Sequence, residues 1–203
     1  MEDTSTINPA NMHTNRQLRG VARETLKGNW LYAVLCTLLY TAVVSVCGSI
    51  PLAGLLVVCP LGFGMSIAFL RFVRGETSGE DLVTKPFEVF NHYGRTLGAS
   101  LLVFLFVMLW SLLLIVPGIV KGLSYAMTPY ILHDNPEMSA RECIRQSQKM
   151  MDGYKMKFFL LQLSFIGWFL LCCITMGIGL LWLQPYIITT EAKFYEELKA
   201  RQK

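Results

Sequence analysis

Lys121 is the one acid or base of this chain that falls inside a long apolar stretch. Charges at membrane depth mark ion or substrate pathways often enough to be functional candidates by default. Lys121, however, follows Pro117-Gly118 by only three or four residues, so about 5 Å of helix separates it from a turn. Its long stem can carry the ammonium to water, and no Asp or Glu inside a span offers it a partner. Catalysis would require a nucleophile beside a base, or clustered His and carboxylates. His13, His92 and His133 are instead scattered over tail, loop and helix end. Five of the six cysteines (Cys36, Cys47, Cys59, Cys172, Cys173) lie in apolar segments, and Cys143 stands alone among charges, so no metal or disulfide pattern is present. No phosphate-cradling loop occurs, and Gly177-Ile178-Gly179 reads as a turn. Neither enzyme activity nor a cofactor is expected.

Pro60, Pro129 and Pro185 carry a second kind of chemistry. A proline within a helix frees the carbonyl four residues earlier, here Leu56, Tyr125 and Leu181, and bends the helix. Three such kinks around a common axis would line a small polar cavity with carbonyl oxygens. The alternative is ordinary packing, in which neighbouring groups satisfy the freed carbonyls. Gln162, Gln184, Ser111, Ser124 and Ser164 are adequately explained as hydrogen-bonding groups between helices.

The elements that must position these residues are set by where charge is absent. Hydrophobic residues make up 53% of the chain and charged ones 16%, well below the roughly 25% charge of soluble domains. Seventeen of the 18 Lys/Arg lie in blocks at 16–27, 71–95, 141–157 and 193–203. The net charge of +4 is small, which gives nucleic-acid binding little support. Segments 30–46, 52–73, 97–116 and 158–175 approach the roughly 20 apolar residues needed to cross a bilayer. Segments 119–132 and 178–190 are shorter. If they failed to cross, the 141–157 block would lie opposite the other three, against the positive-inside tendency. Six spans therefore satisfy the charge pattern, with both termini cytoplasmic. The last span runs through Glu191 and Lys193, whose head groups reach the interface. The outer turns are expected near 48–51, 117–118 and 176–179.

The expected fold is all-α: three helix pairs at 30–73, 97–132 and 158–195 within one membrane domain, 16–203, behind a mobile tail, 1–15. The pairs read as repeats. Gly94 precedes Gly118-Ile119 by 24 positions and Gly153 precedes Gly177-Ile178 by 24, while Pro129-Tyr130-Ile131 matches Pro185-Tyr186-Ile187. Gly28 opens a looser first copy. Each unit begins with a short amphipathic helix expected to lie flat at the inner interface, apolar side on lipid. Arg16, Arg19, Arg23 and Lys27 form one stripe at 100° per residue, opposite Leu18, Val21, Ala22 and Leu26. That stripe either contacts lipid headgroups, at about 1 kcal/mol per residue, or only fixes orientation. Ser139 and Glu142 form a capping box that starts the third unit's helix. In the second unit Pro86 suits a first turn, with Phe87 and Phe90 on one face.

The stretch 139–195 resembles a bacterial membrane-protein family catalogued as domain of unknown function 975. The residues carrying it are Ser139-Ala140, Glu142, Ile144, Ser147, Met151, Gly153, Leu163-Ser164-Phe165-Ile166-Gly167-Trp168, Gly177-Ile178-Gly179, Trp182, Pro185-Tyr186 and Phe194-Tyr195. Trp110, Val116-Pro117-Gly118-Ile119, Lys121, Ser124-Tyr125 and Met127 extend it upstream. It reaches from about 16 to 198 and is tightest in the C-terminal third. Cys143 stands where the family pattern has Ala. The resemblance implies a multi-pass protein of the bacterial cytoplasmic membrane and brings no catalytic residues.

The expectation is a non-enzymatic integral membrane protein that interacts with membrane lipids or with a protein at its cytoplasmic face. The alternative is a small transporter or channel using the proline-kinked helices. A lipid-modifying enzyme is disfavoured by the scattered His and acids. A cysteine placed beside Arg145, in a chain cleared of other accessible cysteines, should resist a membrane-impermeant maleimide applied to intact cells. Labelling from outside would refute the six-span sidedness.

Overall fold

The computed structural model describes residues 13–48, 51–113, 115–175 and 177–201, and every regular element among them is helical. Four helical runs are long and apolar enough to cross a membrane: Trp30–Cys47, Gly54–Val73, Lys85–Leu112 and Lys155–Ile174. They contain α2 (Trp30–Gly48), α3 (Pro51–Val73), α4 (Tyr93–Leu113) with the 3₁₀ run Lys85–His92 before it, and α8 (Lys155–Leu163) with α9 (Ile166–Ile174). The two shorter segments take another form. Segment 119–132 is divided between α5 (Ile115–Tyr125) and α6 (Thr128–Asp134), whereas 178–190 is the first part of α10 (Leu180–Arg201).

Pro117-Gly118 lies inside α5, so the expected turn moves upstream of it. Proline fits the first turn of a helix, where its missing N–H has no partner to lose. A Cβ on Gly118 would stand 2.7 Å from the Ser111 Cα, which is why α4 and α5 can close so tightly there. The other expected turns fall partly on 49–50 and 176, outside the described residues, as does most of the tail. Of that tail, Thr14 caps α1 (Asn15–Leu26) through a capping box with Gln17.

Helices α3 and α10 pack against each other and occupy the interior; α2 packs on both, and α4 on α3. α2, α4 and α8–α9 carry most of the exposed large apolar residues, such as Leu38, Leu105, Phe169 and Ile174. Each amphipathic element turns its apolar side onto another helix. Leu18, Ala22 and Leu26 of α1 are buried, and α1 packs on α10. In α7 (Ala140–Met150), started by the expected Ser139–Glu142 capping box, Cys143, Ile144, Ser147 and Met150 are buried against α4, α5 and α6. Protein covers these faces where lipid was expected, because burying a leucine contributes about 1.5–3 kcal/mol whichever apolar surface receives it.

In the 3₁₀ run, Pro86 and Val89 are buried, whereas Phe87 is half-buried and Phe90 exposed. A three-residue period stacks 86 on 89, and bare Gly64 receives that edge: a Cβ there would lie 2.2 Å from the Pro86 carbonyl oxygen. The repeat is also uneven at its glycines. Gly28 (φ 87°) and Gly153 (φ 78°) turn the chain from α1 into α2 and from α7 into α8, a backbone region that L-residues rarely enter. Gly94 has no such role, since the 3₁₀ run passes directly into α4 around it.

One carboxylate joins three of these elements. Asp134, at the end of α6 with 8% of its side chain exposed, accepts two bonds from Arg74 (2.7 and 2.8 Å), one from Lys199 (2.6 Å) and one from the Tyr195 hydroxyl (2.7 Å). Arg74, just past α3, also donates to Glu196 of α10 (2.7 and 2.9 Å). Burial opposes ionisation of Asp134, but the bonds from Arg74, Lys199 and Tyr195 outweigh it and hold the carboxyl well below the usual carboxylate range. The folded pKa is thus depressed, so this stabilisation is complete above the unfolded value of about 3.9 and is lost as pH falls below it. Asp134→Asn should destabilise the protein by about 3–5 kcal/mol in detergent melts at pH 7, because it leaves a largely buried guanidinium short of its partner. It should also flatten the wild type's loss of stability in acid. An unchanged melting temperature would refute the role of this cluster.

Candidate functional site

Aromatic residues of α2, α9 and α10 converge on a groove between the end of α1, the start of α2, α9 and α10. It encloses about 320 Å³ and is mainly apolar, with Trp30, Trp168, Leu171, Trp182 and Tyr186 among its walls and Arg23 as its one cation. Local sequence accounts for this arrangement. The Gly28 turn brings Trp30 back over the last turn of α1, so Arg23 and Trp30 face the same space. Tyr186 is fixed from three directions: Trp30 at 6.5 Å between ring centroids, Phe165 edge-on at 5.4 Å, and a hydrogen bond from its hydroxyl to the Arg19 carbonyl oxygen (3.1 Å). A pocket with aliphatic and indole walls and a guanidinium at one edge suits an amphiphile, with the acyl part inside and the anion outside.

The four stripe residues divide. Arg19 turns inward, donating to the Ser164 carbonyl oxygen (3.3 Å) and standing 5.9 Å from the Phe165 ring centroid. Arg16, Arg23 and Lys27 are exposed and form no ion pair with a described residue. Three cations are therefore free for a headgroup, and one ties α1 to α8–α9.

Lys121 has a partner that its sequence context did not reveal: its ammonium lies 5.0 Å from the centroid of Trp110, a cation–π contact across the α4–α5 hairpin. The three prolines take three different settings. Pro60 and Pro185 are buried inside continuous α3 and α10. Pro129 stands in the first turn of α6, so the chain breaks between Tyr125 and Thr128 instead of bending. At Pro60 the freed Leu56 carbonyl accepts a bond from the Tyr93 hydroxyl (3.0 Å). Of the polar span residues, Ser147 donates to the Ser124 carbonyl oxygen (2.8 Å) and Gln162 to Glu191. Glu191 was expected to reach the interface; instead it turns to α8, because Gln162 supplies a donor at its own level.

Sequence reasoning did not find the Arg74–Asp134–Tyr195 cluster or the Gln162–Glu191 pair. Both join residues far apart in the chain, and no local pattern signals them.

Residues 112–202 match the family model described as Protein of unknown function (DUF975). This covers the stretch whose motifs carry the resemblance most tightly. No curated protein and no solved structure matches the chain. Four helices among the described residues are long and apolar enough to cross a bilayer, which fits a membrane protein, and the family match carries no activity with it.

The Leu56–Tyr93 bond can be isolated from general packing. Tyr93→Phe should cost about 1 kcal/mol in detergent melts by leaving the Leu56 carbonyl unpaired. In a Pro60→Ala background, where the restored residue-60 N–H can reach that carbonyl, the same change should be close to neutral. Additive costs in the double-mutant cycle would refute this account.

Proposed function

We propose that this chain is a six-span, non-enzymatic protein of the bacterial cytoplasmic membrane, with both termini cytoplasmic, that holds anionic membrane lipid. The groove carries the reading: an apolar, tryptophan-lined space opens beside a guanidinium at the end of a helix whose remaining exposed cations, Arg16 and Lys27, lie along the same stripe. An acyl chain occupies the groove, and its phosphate meets Arg23.

Packing supports the six-span, three-unit layout. α2 pairs with α3, α4 with α5, and α9 with α10. The opening element of each unit then docks on a different unit: α1 on α10, the 3₁₀ run on α3, and α7 on α5 and α6. First on third, second on first and third on second is a closed cycle, as three related hairpins around one axis would give. The transport alternative rests on the break between α5 and α6 beside Pro129. The occupied Leu56 carbonyl weighs against a cavity lined by freed oxygens.

Purified protein in neutral detergent should gain several degrees of melting temperature from phosphatidylglycerol and little from phosphatidylcholine. Arg23→Gln should remove roughly 1 kcal/mol of the anionic component, the usual size for one interfacial cation. Equal stabilisation by the two lipids would refute the lipid reading. Solute flux in liposomes that falls on Pro129→Ala would support transport instead.

A further inference from the structure

A second cationic cavity lies between the first and second helix pairs, apart from the aromatic groove. It encloses about 250 Å³ among α3, the 3₁₀ run, the start of α4 and the end of α6. Arg71, Lys85, Glu88, His92, Arg95 and His133 supply its ionisable lining. The charges do not balance, since three permanent cations face a single carboxylate.

That carboxylate is already engaged at both oxygens: Glu88 Oε2 accepts from Arg71 Nη1 (2.7 Å) and Oε1 from Lys85 Nζ (2.6 Å). Arg95 is held by main-chain carbonyls, donating to Asn135 and to Met138 (2.9 and 3.2 Å). His133 Nε2 accepts from Arg71 Nε (3.3 Å), so its ring proton sits on Nδ1 as a further donor. Arg71 Nη2, two of the three Lys85 N–H groups, His133 Nδ1 and the His92 ring have no partner among the described residues. Donors therefore exceed acceptors in a cavity whose one carboxylate is occupied, and a guanidinium fork beside an ammonium matches an oxyanion with several acceptor oxygens.

We infer that this cavity binds a phosphate group, either as soluble phosphate or as the headgroup of a phospholipid. Arg71 and Lys85 supply the charge, and His92 and His133 supply further donors. Arg23 and the aromatic groove take no part, so the inference stands apart from the lipid reading above.

The test uses the full chain in neutral detergent, in an Arg23→Gln background that removes the groove's cation. Inorganic phosphate and short-chain phosphatidylglycerol below its micelle concentration are titrated separately by calorimetry, with chloride matching ionic strength. Saturable binding of inorganic phosphate identifies a soluble-phosphate site, whereas saturable binding of the lipid alone identifies a headgroup site. Either is the expected result. Lys85→Gln should weaken the binding about tenfold, the scale of one charge-assisted contact. If that variant does not fold, His92→Phe, at an exposed position, takes its place and should weaken binding about threefold, as loss of a neutral donor does. No saturable binding in either arm, or wild-type affinity in the folded variant, overturns the inference.

Discussion

The bonds made by Asp134 are the constraint on which the helix arrangement depends. Arg74 stands just past the end of α3, Asp134 ends α6, and Tyr195, Glu196 and Lys199 lie in the last turns of α10. One carboxylate thus joins the ends of α3, α6 and α10. Such a site cannot be half-built. A carboxylate with 8% of its side chain exposed, facing an arginine with 18%, is tolerable only while every donor is in place, because either ion left alone would be buried without compensation. Directionality follows from the same requirement. Apolar helix faces slide over one another at small cost, but a forked guanidinium fixes α3 against α6 to within a hydrogen-bond length.

Packing on the apolar side works to the same end with less specificity. Tyr130 stacks on Tyr195 at 5.1 Å, and Phe158 meets Phe194 at the same separation, so α6 and α8 both lean on the end of α10 where the ion cluster sits. The amphipathic helices add to this from outside. Because α1 and α7 bury their apolar faces in protein, their positions report the shape of the bundle beneath them more than the position of a lipid surface. Their charged faces are then left to whatever adjoins the protein there. In α1 that face carries Arg16, Arg23 and Lys27, which are exposed and form no ion pair with a described residue.

The sequence made the helical character, the four strongest spans, the Ser139–Glu142 capping box and the amphipathic stripes legible, because each is a local pattern. The Thr14–Gln17 box is equally local but was not read. The rest of what stayed hidden is non-local. Asp134 carried no signal and Glu191 read as an interfacial acid, since neither Arg74 nor Gln162 lies near them in the chain. The faces of α1 and α7 were readable, but their occupant was not, because a hydrophobic stripe has the same pattern whether protein or lipid covers it. Gly94 misled for a related reason: its spacing matches Gly153, yet the backbone there continues as helix and needs no left-handed residue. The groove was hidden too, although its members Trp30, Trp168, Trp182 and Tyr186 are conspicuous singly, because only the turn at Gly28 brings Arg23 among them.

The prolines show why units alike in sequence part in structure. A helix proline always removes one donor, but the result depends on whether a neighbour replaces it. At Pro60 the Tyr93 hydroxyl takes the Leu56 carbonyl, and α3 continues as one helix. At Pro129 α5 ends and α6 starts afresh, which releases the direction of α6 from that of α5. That release matters because His133 and Asp134 sit at the far end of α6 and must meet Arg71 and Arg74, three residues apart near the end of α3. A continuous helix through 115–134 would fix those two side chains by the phase of α5, which is already set by its tight contact at Gly118. The break therefore separates two demands that one rigid helix would have to meet together: close packing on α4 at one end, and ion pairing with α3 at the other.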